Sequence, residues 1–172
     1  MKLQDLRLGS GEPVLVPENS HFHDHVTEIN GELDHLVIAL GQVQSSDADE
    51  RGFIQKVIPF EDPVGTTNCV ETKDGDDILF ATRPKRYGPS RFVKNRQPEP
   101  CNTLVVVLRS VDATKASFNL ITAFVGVTSK EPWDKFAGPT DKVFWANHAL
   151  VWGTMETIPG SETAEVPESF RT

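Results

Sequence analysis

A chain of 172 residues, 38% apolar and 24% charged, is long enough to bury a core and has the composition of a globular protein. Its 25 acidic residues against 17 basic ones set a net charge of −8, which excludes a protein that coats nucleic acid over its whole surface. No window approaches 18 apolar residues, and the two cysteines, Cys69 and Cys101, are far apart with no CxxC pair, so neither a membrane span, a zinc framework nor a disulfide-rich scaffold is expected.

In chain order, the N-terminus lacks an apolar run followed by a small-residue cleavage site, and a cytoplasmic protein is expected. The first 20 residues, broken by Gly9-Ser-Gly-Glu-Pro13, should wrap the surface. A helix is expected between Phe22 and Leu40, although Leu33–Leu40 fits a strand equally well. Phe53–Ile58 is a short apolar strand closed by Pro59. Asn68–Thr72 and Ile78–Thr82 flank Asp74-Gly75, a hairpin turn signal. Thr103–Arg109 is continuous and β-branched, as in a buried central strand, and Ser117–Val125 should pair with it antiparallel across a short polar loop. Thr140 as N-cap and apolar residues at three- and four-residue spacing predict a helix over Asp141–Val151, ended by Gly153. From Pro159 onward the chain is rich in Pro, Glu, Ser and Thr, which predicts a poorly ordered tail behind a single globular domain spanning 1–158. The class is α+β, a curved antiparallel sheet with one or two packed helices.

The charge is unevenly placed. No carboxylate occurs between Ile78 and Pro98, and Arg83, Lys85, Arg86, Arg91, Lys94 and Arg96 make six of the chain's 17 basic residues. Such an island creates a local positive field that attracts phosphates or carboxylates; the plainer alternative is a solvated loop pairing with the acidic body. If the segment is a strand, Lys94, Arg96 and Phe92 share a face suited to a phosphate and a base. Pro84, Pro89 and Pro98 break any amphipathic membrane helix, and there is no phosphate-binding G-x-x-x-x-G-K-[ST] loop.

Five histidines could carry proton chemistry: His21, His23, His25, His35 and His148. His21-Phe-His23-Asp-His25 has period two, so on a strand three imidazoles would point one way, a metal-ligand arrangement; on a helix only His21 and His25 share a face. Without metal, a histidine can draw the proton from an RNA 2′-hydroxyl while a cation holds charge on the phosphorane. His25 and His35 are the candidates, and sequence does not rank them. Thr122, in the apolar run Leu120–Gly126, is either an ordinary strand residue or a hydroxyl that donates to a phosphate oxygen. Trp133, Trp145 and Trp152 fall close together, as core, as a lid, or as a platform for a base beside Asn147 and His148.

A His-bearing N-terminal segment, basic residues in the middle and a late apolar strand reading Ile121-Thr-Ala-Phe124 together resemble the barnase–EndoU–colicin–RelE group of metal-independent ribonucleases, which includes many bacterial toxin domains. The resemblance implies an N-terminal helix followed by a curved antiparallel sheet, and cleavage of RNA to a cyclic phosphate without a cofactor. It implies His25 or His35 as acid/base, Arg91 and Lys94 on the phosphate, and Thr122 with Phe124 on the late strand. The substrate-binding set expected with them is Arg86, Lys94, Arg96, Phe124, Trp145 and His148. This chain departs from the group in being acidic and in continuing well past Thr122. The alternatives are a non-catalytic protein that docks an acidic partner or nucleic acid on the 83–96 island, and a metal binder using His21, His23 and His25.

Overall fold

The computed structural model describes residues 5–31 and 33–171. In chain order the elements are β1 (Val14–Leu15), α1 (Phe22–His25), α2 (Leu33–Leu40), β2 (Phe53–Pro59), β3 (Gly65–Thr67), β4 (Cys69–Glu71) and β5 (Ile78–Thr82). They continue with β6 (Pro89–Val93), β7 (Glu99–Cys101), β8 (Thr103–Ser110), β9 (Phe118–Val125), α3 (Pro139–Asn147) and β10 (His148–Val151). The protein is α+β. Its contacts divide it into two compact units, the first built from residues 1–66 and 100–127, the second from 67–99 and 128–172. Among the described residues no helix is long and apolar enough to cross a membrane.

The first unit holds a four-stranded sheet in the order β1-β9-β8-β2. The β8–β9 pair is antiparallel, as the two β-branched runs predict, and the short β1 joins β9 in parallel. Strand β8 is central. The alternate residues of one face, Leu104, Val106 and Leu108, are fully buried in one core with the α2 residues Leu36, Ala39 and Leu40. Burying those apolar faces is what makes Leu33–Leu40 helical, which settles the ambiguity of that stretch: Leu36, Ala39 and Leu40 recur at helical spacing on the buried side. Leu6, Leu8 and Val14 also enter this core, so the described part of the first 20 residues supplies packing as well as surface; residues 1–4 lie outside the described set.

The second unit holds a four-stranded sheet in the order β4-β10-β6-β5. Several expectations change here. The strands around Asp74-Gly75 do not pair as a hairpin: β4 pairs with β10 and β5 with β6. The intervening turn is fastened otherwise, with the Asp76 carboxylate accepting the Lys73 amide at 2.8 Å. The C-terminal helix ends at Asn147, and His148–Val151 is a strand between β4 and β6. Ala149, Leu150 and Val151 are all buried, which an amphipathic helix would not achieve. The helix starts slightly earlier than predicted, with Gly138 as N-cap, Pro139 next, and the Asp141 carboxylate accepting the Gly138 amide at 2.9 Å. The segment beyond Pro159, expected as a loose tail, makes defined contacts: Thr163 and Phe80 exchange backbone hydrogen bonds in both directions at 2.8 Å, and the Phe170 ring lies 5.0 Å from that of Phe80.

Candidate functional site

In the first unit, the sequence Ser20-His21-Phe22 fixes the position of α1. The Ser20 hydroxyl lies 2.7 Å from the Leu120 carbonyl, to which it donates, and 3.1 Å from that of Ile121; the His21 amide donates to Ile121 at 3.0 Å. These carbonyls are available because β9 bulges there: Leu108 faces Leu120 while Val107 faces Thr122, leaving Ile121 without an opposite residue. Phe22 drops into the core, 1% exposed. After the bulge, Thr122 and Phe124 share the face opposite the core residues Ala123 and Val125.

One turn of helix carries His25 to this strand. Its ring centre lies 5.9 Å from that of Phe124, and its Nδ1 is 3.1 Å from Glu28 Oε2. The hydrogen bond to Glu28 raises the pKa of His25, with burial opposing it to a lesser degree. Glu28 is seated by a glycine: a Cβ on Gly65 would stand 1.9 Å from the Glu28 carbonyl oxygen. Thr122 Oγ1 is shielded from solvent and has no hydrogen-bond partner among the described residues.

His35 stands apart from this group. Its Nδ1 bonds the Asn30 carbonyl and its ring meets Phe60 edge-on at 5.4 Å. The geometry therefore separates two histidines that sequence left equal: His25 is the one beside the strand of Thr122 and Phe124. Of the two arrangements open to His21, His23 and His25, the helical one is found, so the three do not line one strand face. His21 faces Asp24 at 3.6 Å, His23 contacts the Pro17 carbonyl at 3.1 Å, and His25 turns to Glu28. Among the described residues no group of three or more His, Cys, Asp and Glu side chains converges on a metal-sized site.

The basic island belongs to the second unit. Arg91, on β6, donates to the carbonyls of His148 (3.1 Å) and Ala146 (3.3 Å) and to the Thr72 hydroxyl (3.3 Å), so it ties the end of α3 to the sheet. Burial lowers its pKa. Arg96 meets Asp76 at 3.0 Å, Glu99, and the Glu71 carbonyl at 3.2 Å, and the bond it donates to Glu99 raises its pKa. Arg83 pairs with Glu131 at 3.2 Å. Strand β6 ends at Val93, so Lys94 and Arg96 do not share a strand face with Phe92, which is itself fully buried. Arg86 and Lys94 are exposed.

The remaining predicted contacts are packing. Trp145 is 6% exposed within an apolar cluster with Phe92 and Leu150. His148 stacks on Phe144 at 3.9 Å with its Nδ1 2.8 Å from the Phe144 carbonyl. Trp152 meets Phe92 edge-on, and Trp133 lies against Tyr87. Sequence reasoning missed Glu28 and Glu131. The first had a signal in its three-residue spacing from His25, which places both on one helical face. The second had none, since its partner Arg83 is 48 positions away.

No protein-family model matches the chain, and no curated protein and no solved structure is significantly similar to it.

Proposed function

We propose that this protein is a metal-independent phosphodiesterase that acts on RNA, with His25 as the group that takes and returns the proton. The observation that carries this is the contact set of His25: a carboxylate on one ring nitrogen, an aromatic ring beside it, and a hydroxyl-bearing strand behind. A neutral His25 that donates from Nδ1 to Glu28 leaves Nε2 as the acceptor, the form a base needs to draw a proton from a 2′-hydroxyl. Once protonated, the imidazolium is stabilised by Glu28 and can return the proton to the departing 5′-oxygen, leaving a cyclic phosphate. Phe124 offers a face for a base, and the Thr122 hydroxyl, without a partner among the described residues, stands on the same strand face. Of the bases first assigned to the phosphate, Arg91 and Arg96 are engaged by backbone carbonyls and carboxylates, while Arg86 and Lys94 are exposed.

The test is incubation of the full chain with total RNA in EDTA. Cleavage to a cyclic phosphate, reduced on the order of 10²–10⁴-fold in His25→Ala, is expected. A folded protein that cleaves no RNA, or cleavage indifferent to His25→Ala, overturns the assignment. A second reading is favoured by the exposed end of the island, where Tyr87 is 97% exposed beside Arg86: a docking surface for an acidic partner. A salt-sensitive pull-down without turnover would select it.

A further inference from the structure

We propose that an open cavity at the β8–β9 hairpin end of the first unit binds a phosphomonoester. The cavity has a volume of about 540 Å³, within the range of small-molecule sites. Three cations reach it from three separate stretches of chain: Arg51 from the turn before β2, Arg109 from β8, and Lys115 from the hairpin loop. Arg109 lies between Phe53 and Asn119 on the neighbouring strands, and its guanidinium has no partner among the described residues. Arg51 reaches Asp49 only at 3.8 Å, with its side chain 85% exposed. Lys115 Nζ also donates to the Asp49 carbonyl at 3.4 Å, and the three cations outnumber the wall's two carboxylates, Glu50 and Asp112, which leaves a net positive spot on a chain of net charge −8.

The negative side chains in the wall are partly committed. Asp112 accepts from the Thr114 amide at 2.9 Å and from its hydroxyl, which leaves Glu50 as the carboxylate without a partner among the described residues. Neutral donors complete the wall, the Ser110 hydroxyl and the Asn119 amide. The backbone is adapted to them. Gly52 has φ +76°, and a Cβ there would stand 1.9 Å from Ser110 Oγ, so any side chain at this position would displace that hydroxyl. Lys115 adopts φ +54°, a left-handed conformation that residues with side chains take sparingly and that gathers at ligand sites.

The ligand class follows from what lines the cavity. Three donor side chains from separate stretches suit the three terminal oxygens of a phosphomonoester better than the two of a phosphodiester. No aromatic ring lines the wall, so nothing stacks a base. The volume exceeds one phosphate, and the polar wall suits a hydroxylated body such as a sugar. The site is independent of the His25 chemistry proposed above.

The experiment is titration of the ¹⁵N-labelled full chain with inorganic phosphate, ribose 5-phosphate and a dinucleoside phosphodiester. Saturable amide shifts centred on Gly52, Ser110, Lys115 and Asn119 are expected with the first two probes, and weaker ones with the diester. Arg109→Gln and Lys115→Gln should each weaken binding about tenfold, the loss of one charge-assisted contact. Arg51→Gln, at a side chain with little packing to lose, should weaken it while leaving the fold intact, and His25→Ala should not change it. Shifts that do not saturate, shifts centred on the 83–96 island instead, tighter binding of the diester, or affinity unmoved in Arg51→Gln would each overturn the proposal.

Discussion

Removing Arg83 from the second unit should cost far more than removing Arg83 and Glu131 together. The two side chains are 23% and 8% exposed and meet at 3.2 Å. At that separation, and with an effective dielectric constant of about 20, two unit charges attract by roughly 5 kcal/mol. Taking each ion out of water costs several kcal/mol. Two desolvations therefore offset one attraction, which agrees with the pKa directions: burial is the leading cause that pushes the Glu131 carboxyl up and the Arg83 guanidinium down. Arg83→Met leaves a buried carboxylate whose remaining support is the Ser90 hydroxyl at 2.7 Å, and about 3 kcal/mol of stability should be lost. The double variant Arg83→Met with Glu131→Leu removes both charges and orphans the Ser90 hydroxyl and the weakly accepting Met155 Sδ, for a cost of about 1–2 kcal/mol. Urea unfolding followed by tryptophan fluorescence reports on this unit, which contains Trp133, Trp145 and Trp152. A coupling of at least about 2 kcal/mol is expected, and single costs that add within about 0.5 kcal/mol would refute the reasoning. The pH dependence has a defined sign. The unfolded carboxyl ionises near ~4.3 and the folded one at higher pH, so stability falls as pH rises across that window and then flattens. Glu131→Gln should abolish the fall.

His25 should titrate above the ordinary value near ~6.5 in an imidazole NMR experiment, and Glu28→Gln should bring it down. Its contribution to stability is then fully present below ~6.5 and lost as pH rises through the raised value; a His25 that titrates no higher than a free imidazole contradicts the contact with Glu28. Gly65→Ala should destabilise the first unit by about 1–3 kcal/mol, because the new methyl would meet backbone, the Glu28 carbonyl oxygen, at 1.9 Å and Val125 Cγ2 at 2.7 Å. A wild-type midpoint in thermal unfolding would show that this end of β3 yields freely. Gly88→Ala should loosen the island loop, since its Cβ would stand 2.4 Å from Trp133 Cγ; increased proteolysis near Tyr87 is the expected readout, and unchanged cleavage rates would count against the packing.

Local pattern alone was enough for the β8–β9 pair, for β2, and for the α+β class, since period-two burial and β-branched runs are properties of a few adjacent residues. The island of six bases and the candidate histidines were equally visible, because charge and residue type need no fold to be counted. Partnership was not visible. Arg91 looks like a phosphate ligand in sequence and is in fact a strut on the carbonyls of Ala146 and His148, 55 and 57 positions away. His148–Val151 carries helix-compatible spacing, yet the gap between β4 and β6 takes it as a strand, because three consecutive buried residues satisfy their backbone groups better in a ladder. His25 and His35 differ only in what stands beside them, Glu28 and Phe124 for one, Asn30 and Phe60 for the other. Sequence determined which chemical groups this protein owns and which segments are strands by local pattern; tertiary structure decided which of those groups are spent on holding the fold, because hydrogen bonds and ion pairs form between neighbours in space that the order of residues does not record.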